Sequence, residues 1–528
     1  MPFSKLVVSL PRIFKYICPK IARNISARCY NRLIRRRIMA QDFDKEMMYK
    51  AFCSRDPRFD GRFFVGVSST GIYCRPVCSA RKPKIENCSF FDSAAAAEAA
   101  GYRPCLICRP ELAPEDYDPD VSSVLARRAA KYISENCSYG MRLQDAATAL
   151  GCTDRHLRRV FEEEYGITPV QYLQTCRMLM AKSLLTETSL PILDIAMAAG
   201  FGSVRQFNNI FKQRYKMTPL ELRKNTRVKK ETEGNVSIML GYRPPYRFEE
   251  LLAFLSQRAI SGVEVVRDET YFRTVRMKTK DGTMLSGWIK VTHISKKHAL
   301  QLTISDSLLP VMPKVAGHVK NMFDLFCDPE AVASVLEKMN RIRSGLFVKG
   351  TRIPGAFEPF EMSVRAVLGQ QITVHAAGVL AGRFVQKYGT AINTGIEGLT
   401  HLFPLPEEIL DLDSNIEEQL GPIGIISSRA RTIRSLSEVF ADGSVVFESY
   451  ADSEKEKEKL LKIKGVGPWT ADYIAMRCMS DTDVFLGSDA GVKRALDIQN
   501  AGMLEQIAEE WRPWRSYATV SLWNSLQG

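Results

Sequence analysis

The stretch YCRPVCSARKPKIENCSFFDSAAAAEAAGYRPCLICRPE at residues 73–111 decides the fold of the first part of the chain. Its cysteines follow the pattern C-x3-C, then 26 residues, then C-x2-C, with Cys88 outside that spacing. Two close pairs separated by a short segment are the usual construction of a tetrahedral four-thiolate zinc site. We therefore predict one Zn²⁺ ion per chain, bound by Cys74, Cys78, Cys105 and Cys108.

The residues around this stretch predict its local structure. RFFVGVSSTGIYC at 62–74 alternates apolar and polar side chains around a turn, which predicts a β-hairpin that leads into Cys74. An alanine-rich helix is predicted near Ser93–Ala100. The motifs YCRPVCSAR and GYRPCLICRPE resemble those of the N-terminal domain of Ada-type methylphosphotriester repair proteins. The resemblance implies that Cys74 is an exposed thiolate that takes a methyl group from a DNA phosphotriester; the alternative is a closed zinc site that only holds the fold.

An internal repeat follows at an offset of 50 residues. HLRRVFEEEYGITP at 156–169 aligns with QFNNIFKQRYKMTP at 206–219. Each copy comes after a short helical pattern and a glycine-containing turn, and Thr153 and Ser203 are predicted N-caps of the second helix. This is the helix-turn-helix pattern, and the segment resembles the AraC-type DNA-binding domain, in which a long helix joins two such units. PVQYLQTCRMLMAKSLL at 169–185 is the predicted joining helix.

The second helix of each unit has an apolar stripe and a polar face. The alternative to DNA binding is a pair of helical hairpins with solvated polar faces, but the repeat and the side chains favour DNA, because Arg, Asn and Gln read base edges. The predicted DNA-contacting residues of the two helices are Arg155, His156, Arg158, Arg159, Arg205, Gln206, Asn208 and Asn209.

The C-terminal half begins with strand-like runs and becomes helical after about Pro313. The runs VEVVRD, ETYFRTVRMK, SGWIKVTHI and HALQLTIS predict a small antiparallel sheet. Further on, LLKIKGVGPWTADYIAMR at 460–477 predicts two helices around a tight turn, a helix-hairpin-helix. Gly465 and Gly467 are predicted to let backbone amides approach a DNA phosphate closely.

This half resembles the AlkA-type glycosylases of the helix-hairpin-helix superfamily. The likeness runs through YRPPYRFEELLAFLSQRAISGVE at 242–264, PGAFEPFEMSVRAVLGQQIT at 354–373, GVGPWTADY at 465–473 and WRPWRSYA at 511–518. It implies that Asp489 is the catalytic carboxylate and that the base pocket is aromatic, formed by Trp469, Tyr473 and Trp523. The alternatives are an ordinary helix N-cap for Asp489 and ordinary core packing for the aromatic residues.

Three further expectations come from this resemblance. Some relatives carry a lysine that forms a Schiff base at the position of Trp469, so the tryptophan implies a glycosylase that releases the base without cutting the strand. No cysteine cluster follows at the C-terminus, so no iron–sulfur cluster is expected. The residue that fills the gap left by a flipped base aligns with Gln371, a polar residue where the family has an apolar one, and Ile372 is the neighbouring candidate.

Amino-acid composition says less about function than these motifs do. Residues 1–38 contain ten basic and no acidic residues, which leaves only +4 of the net charge of +14 for the remaining 490 residues. We interpret this segment as an upstream start-site artefact before Met39, with a transit peptide as the alternative. No apolar run approaches the roughly 18 residues of a membrane span. The predicted location is the bacterial cytoplasm, associated with the nucleoid and not with a membrane.

The predicted fold class is multidomain α+β: a small zinc-bound α/β domain, an all-α double helix-turn-helix domain, and a glycosylase with a small antiparallel sheet and a helical core. The predicted segments are an extension at 1–38, the zinc domain at 39–118, the double helix-turn-helix at 119–228, a linker at 229–237, the sheet subdomain at 238–312 and the helix-hairpin-helix core at 313–528.

Together these motifs predict a protein that responds to alkylated DNA. Its partners would be alkylated and promoter double-stranded DNA, and RNA polymerase. It would accept methyl groups on Cys74, activate transcription as a result, and excise alkylated bases with Asp489. Two alternatives stay open: a transcription regulator whose glycosylase fold is not catalytic, and a repair enzyme whose helix-turn-helix units only anchor it to DNA.

Overall fold

The computed structural model describes residues 45–114, 124–137, 140–224, 235–412, 415–448 and 450–526. The extension predicted at 1–38 lies outside these residues, as does most of the linker predicted at 229–237. The described residues have the predicted mixed architecture: a small sheet domain, a run of helices with two helix-turn-helix units, and a C-terminal half with a sheet and many helices.

The N-terminal domain contains helix α1 (Lys45–Ser54), strands β1 (Phe64–Val67), β2 (Ile72–Cys74) and β3 (Cys88–Phe91), helix α2 (Ala94–Ala99) and strand β4 (Arg103–Pro104). The strands form one sheet in the order β3-β1-β2-β4. Strands β1 and β2 are the predicted hairpin, with Val65 opposite Cys74. The Ser93 hydroxyl caps α2 by accepting a hydrogen bond from the backbone N–H of Ala96, which confirms the predicted alanine-rich helix.

The helix-turn-helix region contains α3 (Val124–Glu135), α4 (Leu143–Ala149), α5 (Asp154–Tyr165), α6 (Pro169–Glu187), α7 (Ile192–Ala198), α8 (Val204–Tyr215) and α9 (Pro219–Lys224). Helix α6 is the predicted joining helix. The hydroxyls of Thr153 and Ser203 cap α5 and α8, as predicted, by accepting hydrogen bonds from the backbone N–H groups of His156 and Gln206. The predicted apolar stripes of α5 and α8 are buried at Leu157, Val160, Phe161, Phe207 and Phe211.

The C-terminal half opens with a second sheet and one helix: β5 (Asn235–Gly241), α10 (Phe248–Ser256), β6 (Glu264–Arg267), β7 (Thr270–Lys278), β8 (Met284–Ile294) and β9 (Ala299–Ser305). The strands are antiparallel in the order β5-β9-β8-β7-β6. The four predicted strand runs correspond to β6–β9. Strand β5 is a correction, because it begins inside the segment predicted as a linker; Val236, Ile238 and Leu240 alternate into the core.

The rest of this half is mainly helical. It contains α11 (Met312–Met322), α12 (Pro329–Leu336), α13 (Pro359–Leu368), α14 (Val374–Tyr388), β10 (Thr390–Ala391), β11 (His401–Leu402), α15 (Pro406–Leu410), α16 (Ile416–Leu420), α17 (Ser427–Ala441), α18 (Ser453–Leu460), α19 (Pro468–Cys478), α20 (Ala490–Leu496), α21 (Ala501–Ala508) and α22 (Arg515–Asn524). Helices α18 and α19 flank the predicted hairpin turn.

The three regions pack against one another. Phe207 and Phe211 of the second helix-turn-helix unit belong to the same buried cluster as Val236 and Ile238 of β5, so this unit and the second sheet share a hydrophobic core. The first unit has a separate core that includes Leu157. The zinc domain approaches β5 so closely that a Cβ atom at Gly241 would lie 2.0 Å from the carbonyl oxygen of Leu112.

Candidate functional site

The four predicted zinc ligands lie together at one end of the first sheet. Their Sγ atoms are all within 4.8 Å of one another, and those of Cys78 and Cys105 are 4.0 Å apart. Zinc–sulfur bonds of about 2.3 Å in a tetrahedron place sulfur atoms about 3.8 Å apart. The donor set is four soft thiolates with no competing carboxylate, which suits zinc. The cluster therefore fits the ion that the spacing predicts.

Backbone N–H groups face the sulfurs of the second cysteine pair. The N–H of Arg75 donates to Cys108 Sγ at 3.3 Å, and the N–H of Ile107 donates to Cys105 Sγ at 3.4 Å. The Arg75 side chain holds this turn in place, because its Nη1 donates to the carbonyl oxygen of Cys108 at 3.1 Å. Hydrogen bonds of this kind stabilise the charge on a thiolate. They therefore make these two sulfurs weaker nucleophiles.

Cys74 differs from the other three ligands. The backbone of Ala80 faces the sulfur of Cys78, whereas across the described ranges no backbone N–H donates a hydrogen bond to the sulfur of Cys74. The sulfur of Cys74 therefore accepts the fewest backbone hydrogen bonds of the four ligands. The expectation that Cys74 is exposed is wrong, because only 6% of the residue is accessible. The other three ligands and the first sheet cover Cys74.

A buried polar network joins the zinc domain to the helix-turn-helix region. Glu98 of α2 accepts hydrogen bonds from Tyr73 at 3.1 Å and from Thr175 of α6 at 3.0 Å. Arg214, in the last turn of α8, donates to the same carboxylate at 2.7 Å. Tyr73 immediately precedes Cys74. The predicted methyl acceptor is thus two hydrogen bonds away from the second recognition helix.

A second buried link uses Lys182 of α6, which is 1% exposed. Its ammonium group donates to the carbonyl oxygen of Cys105 at 3.1 Å and pairs with Glu111. Although burial opposes ionisation of Glu111, the charges of Lys182 and Arg109 lower the pKa of its carboxyl. A cation from the joining helix therefore contacts the backbone of one zinc ligand, and its charge is balanced by Glu111.

The predicted DNA-contacting side chains lie on the outer faces of α5 and α8. Arg158 is half-buried and its Nε donates to Asp154 at 2.9 Å. The side chain of Gln206 accepts a hydrogen bond from the backbone N–H of Gly202 at 3.1 Å, so it helps to begin α8. The remaining predicted contacts are exposed: Arg155, His156, Arg159, Arg205, Asn208 and Asn209.

In the C-terminal half, Asp489 lies at the start of α20 and accepts four hydrogen bonds. Its Oδ1 accepts from the backbone N–H groups of Gly491 at 2.9 Å and Val492 at 3.1 Å. The indole Nε1 of Trp523 donates to Oδ1 at 2.9 Å, and that of Trp469 donates to Oδ2 at 3.2 Å. Both interpretations of Asp489 are therefore compatible: it is an N-cap, and it lies between two of the predicted pocket residues.

The predicted aromatic residues form one cluster around this carboxylate. Trp469 stacks on Tyr473 with ring centres 5.1 Å apart and an interplanar angle of 8°. Tyr473 and Trp523 have ring centres 6.3 Å apart. Each ring is only half-buried, unlike an ordinary core residue. The three rings therefore form a partly open aromatic cluster beside Asp489, and its role as a base pocket stays a prediction.

Three residues of this region were absent from the predicted pocket. Phe254 of α10 stacks on Trp523 at 6.0 Å, and the guanidinium groups of Arg258 and Arg477 lie against Phe254. Both Phe254 and Arg258 lie within the motif at 242–264 that carries the family resemblance, and Arg477 ends the hairpin motif. These residues were therefore within the motifs that the sequence analysis singled out. Their contact joins positions more than 200 residues apart, so the sequence alone does not bring them together.

The hairpin turn and Gln371 lie next to each other. Gly465 has a φ of +95° and packs so closely on Thr432 that a Cβ atom would lie 2.0 Å from its hydroxyl oxygen, which explains the glycine. Gly467 is exposed and precedes α19. Gln370 donates to the carbonyl oxygen of Gly465 at 2.9 Å. Gln371 is exposed and has a φ of +56°. A residue other than glycine keeps this left-handed conformation when the surrounding structure imposes it.

Comparisons with known proteins follow the same division of the chain. Residues 47–111 match the family "Metal binding domain of Ada", and residues 146–225 match "Helix-turn-helix domain". Residues 237–358 match "AlkA N-terminal domain", and residues 364–506 match "HhH-GPD superfamily base excision DNA repair protein". The first two matches fall in the zinc domain and the helix-turn-helix region, and the last two divide the C-terminal half between them.

A relative from Mycobacterium tuberculosis, "Probable bifunctional transcriptional activator/DNA repair enzyme AlkA", is 36% identical over 494 residues, 92% of this chain and 97% of the relative. This chain belongs to the same family. "DNA-3-methyladenine glycosylase 2" of Escherichia coli is 32% identical over 54% of this chain and 95% of its own length. "Bifunctional transcriptional activator/DNA repair enzyme AdaA" of Bacillus subtilis is 32% identical over 36% of this chain and 90% of its own length.

Membership of this family confirms the predicted relationship to Ada-type, AraC-type and AlkA-type proteins, and it confirms the predicted zinc in the N-terminal domain. Double-stranded DNA is the partner that the helix-turn-helix and helix-hairpin-helix domains indicate. Among the described helices, none has the length and apolar composition that crossing a membrane requires. The roles assigned to individual site residues stay predictions.

Proposed function

We propose that this chain responds to alkylated DNA through two reactions, methyl transfer to Cys74 and release of damaged bases beside Asp489. Relatives whose names include transcriptional activator, DNA repair enzyme and 3-methyladenine glycosylase support both halves. The observation that carries the proposal is the carboxylate of Asp489 held by the indoles of Trp469 and Trp523 at the edge of an aromatic pocket. The proposed location is the bacterial cytoplasm.

Cys74 is the proposed methyl acceptor because its sulfur lacks the backbone donors that face the other ligands. Bound zinc keeps the thiols of the cluster deprotonated at neutral pH. The Cys74 sulfur attacks the methyl carbon of a phosphotriester, the carbon–oxygen bond breaks, and the DNA is left as an ordinary phosphodiester anion. Because Cys74 is 6% exposed, this transfer requires a local opening of the cluster.

Methyl transfer is the proposed switch for transcription. Four thiolates on zinc have a formal charge of −2, and methylation of one leaves −1. Repulsion of DNA phosphates falls, so affinity for a promoter rises. The links from Tyr73 through Glu98 to Arg214, and from Cys105 to Lys182, provide a route from the cluster to both α6 and α8. RNA polymerase is the proposed partner at the promoter.

Base release is the proposed reaction of the C-terminal half. A target nucleotide is extruded from the duplex and its base enters the aromatic pocket, while Gln371 fills the gap in the helix. Asp489 stabilises the positive charge that develops on the sugar and positions a water molecule for attack at C1′. Trp469 in place of a lysine supports a glycosylase that leaves the strand uncut. Gly465 and Gly467 support contact with a DNA phosphate at the hairpin.

One experiment tests both reactions in the same tube. The zinc-loaded chain is incubated with duplex DNA treated with a methylating agent. Released bases are measured by chromatography, and methylated cysteines are located by peptide mass. We expect released 3-methyladenine and a methyl group on Cys74 alone. Promoter affinity is then compared before and after methylation.

The outcomes separate the proposal from its alternatives. No base release with normal DNA binding would favour a regulator whose glycosylase fold is not catalytic. Base release and methylation without any change in promoter affinity would favour a repair enzyme that uses its helix-turn-helix units as an anchor. Methylation of a different cysteine would contradict the proposed role of Cys74.

A further inference from the structure

Gln370 lies between the hairpin turn and Gln371, the residue proposed to fill the gap left by a flipped base. The side-chain Nε2 of Gln370 donates to the carbonyl oxygen of Gly465 at 2.9 Å and to the hydroxyl oxygen of Thr470 at 3.0 Å. Gly465 belongs to the hairpin turn, whereas Thr470 lies in the first turn of α19 and is 3% exposed. The amide group of Gln370 therefore connects the residue before Gln371 to both parts of the hairpin.

Helix α17 holds the same two turns from another side. The guanidinium group of Arg429 donates to the backbone carbonyl oxygen of Gln370. The hydroxyl of Thr432, one turn further along α17, contacts the carbonyl oxygen of Lys464 at 3.1 Å. Thr432 is 3% exposed, so this contact is shielded from water. The hairpin and the turn that contains Gln371 are therefore fixed to a common helix as well as to each other.

The turn that joins α13 to α14 presents Gln371 to solvent in a conformation that its neighbours impose. Gln371 is exposed with a φ of +56°, which costs free energy in a residue other than glycine. Gln370 is bound to the hairpin on one side. On the other side the Thr373 hydroxyl caps α14 by accepting a hydrogen bond from the N–H of Ala376. The backbone at Gln371 is therefore fixed before DNA binds, which reduces the entropy lost on insertion.

We propose that Gln370 is a positioning residue that couples phosphate binding at the hairpin to insertion of Gln371 into the duplex. This inference rests on the proposed glycosylase function. The hairpin at Gly465 and Gly467 binds a backbone phosphate, and the amide of Gln370 fixes the distance from that phosphate to Gln371. Without this link the hairpin still binds DNA, but Gln371 occupies the gap for a smaller fraction of the time, so fewer target nucleotides are extruded.

The chemistry of the two acceptors explains why a glutamine suits this position. Its NH2 group has two N–H donors, one for the carbonyl oxygen of Gly465 and one for the hydroxyl oxygen of Thr470. Methionine has a similar length and no donor, so it removes both hydrogen bonds with little change in volume. The loss of two hydrogen bonds of ordinary strength changes an equilibrium by roughly tenfold. The same change is expected in the fraction of DNA complexes with Gln371 inserted.

The test compares release of 7-methylguanine from two duplexes of one sequence. In the first the lesion is paired with cytosine, and in the second it faces an abasic-site analogue, so that its extrusion breaks no base pair. Single-turnover rates are measured with the zinc-loaded full chain at saturating concentration. We expect Gln370→Met to slow release of the paired lesion by about tenfold and of the unpaired lesion by less than about threefold. The ratio of the two rates is the readout, because a loss of folded protein lowers both rates equally.

A fluorescent base reports insertion without any need for catalysis. In the paired duplex the base next to the lesion is replaced by 2-aminopurine, whose fluorescence rises when the stack beside it opens. The wild-type chain should raise the fluorescence on binding, and Gln370→Met should give a smaller rise at saturation. Equal rises, or no rise with the wild-type chain, overturn the inference. A wild-type chain that gives the rise but releases no base would show that the proposed glycosylase function is wrong and that the positioning role stands.

Matched variants complete the test. Thr470→Val removes one of the two acceptors and should change the ratio of the rates by about threefold, whereas Thr470→Ser keeps the hydroxyl and should retain the wild-type ratio. Gln386→Met makes the same substitution at an exposed glutamine in the last turn of α14 and should have no effect. A Gln370→Met ratio within about threefold of the wild type overturns the inference. If Gln370→Met does not fold, the two Thr470 variants decide, and equal ratios in both overturn it.

Discussion

The two reactive groups of this chain, the sulfur of Cys74 and the carboxylate of Asp489, are held in opposite ways. In the described part of the zinc cluster, the other sulfurs face backbone N–H groups and that of Cys74 does not. Asp489, by contrast, accepts hydrogen bonds from two backbone N–H groups and two indoles. The difference corresponds to the chemistry proposed for each group.

A nucleophile and an electrostatic stabiliser need different surroundings. Hydrogen bonds to a thiolate lower the energy of the electron pair that must attack, so a reactive sulfur is best left without them. A carboxylate that faces a developing cation must stay ionised and correctly oriented, and fixed donors secure both. The same chain thus uses the absence of donors at one site and their presence at the other.

The largest expected effect is at the zinc cluster. In Cys74→Ser the least engaged sulfur is removed and the three remaining thiolates keep their surroundings, so we expect no methyl transfer to any cysteine. Peptide mass after incubation with methylated duplex provides the measurement, and zinc content and base release serve as controls. A methyl group on Cys78, Cys105 or Cys108 in this variant would show that the difference in N–H donors does not determine reactivity.

Asp489→Asn should reduce base release by about 10³-fold, because the amide has no charge to stabilise the sugar cation. Asparagine is as good an N-cap as aspartate, so α20 should remain intact. The measurement is the single-turnover rate on methylated duplex. Methylation of Cys74 should continue at the wild-type level, and its loss would mean that the two sites are not independent.

Sequence patterns predicted the parts of this molecule that depend on local spacing. The cysteine pairs, the two N-caps at Thr153 and Ser203, and the hairpin glycines follow from short motifs. Strand β5 was missed because its apolar alternation begins inside a polar segment and its partner β9 follows about 60 residues later. Sheet pairing at that distance leaves no local signal.

Buried charged residues were the other feature that could not be predicted from the sequence. Lys182 and Glu98 are residue types that usually lie on the solvent-exposed faces of helices. Their partners Glu111 and Arg214 are 71 and 116 residues away, so only the tertiary structure brings them together. Arg258 is half-buried and was missed because its contact with Tyr473 joins positions more than 200 residues apart. A sequence identifies such residues as polar, and the fold decides that they are buried and paired.

Trp523→Phe tests how much the hydrogen-bond donors to Asp489 contribute to the rate of base release. The change removes the Nε1–H that donates to Oδ1 at 2.9 Å and keeps an aromatic ring against Phe254. We expect base release to slow by about tenfold, less than for Asp489→Asn, since three donors remain. The single-turnover rate is the measurement. Trp469→Phe, which removes the donor to Oδ2, should give a similar loss; an unchanged rate in both would mean that the indoles only stack on the base.

Glu98→Gln tests whether the cluster is coupled to the helix-turn-helix region. Without its charge the side chain no longer pairs with Arg214, although it still fits beside Thr175. We expect Cys74 to be methylated normally, but the methylation-dependent gain in promoter affinity should fall by about fivefold. Affinity is measured by titration of a duplex from the upstream region of the gene, before and after methylation.

The matched control is Lys280→Met, which breaks the ion pair with Asp145 between the first helix-turn-helix unit and the second sheet. This contact also joins two regions, but it bypasses the cysteines, so the gain in affinity should be kept. Equal losses in both variants would mean that the domains are coupled through general packing. A full gain in Glu98→Gln would leave the charge of the cluster itself as the cause of the switch, because that charge acts on DNA directly and needs no link through α6 or α8.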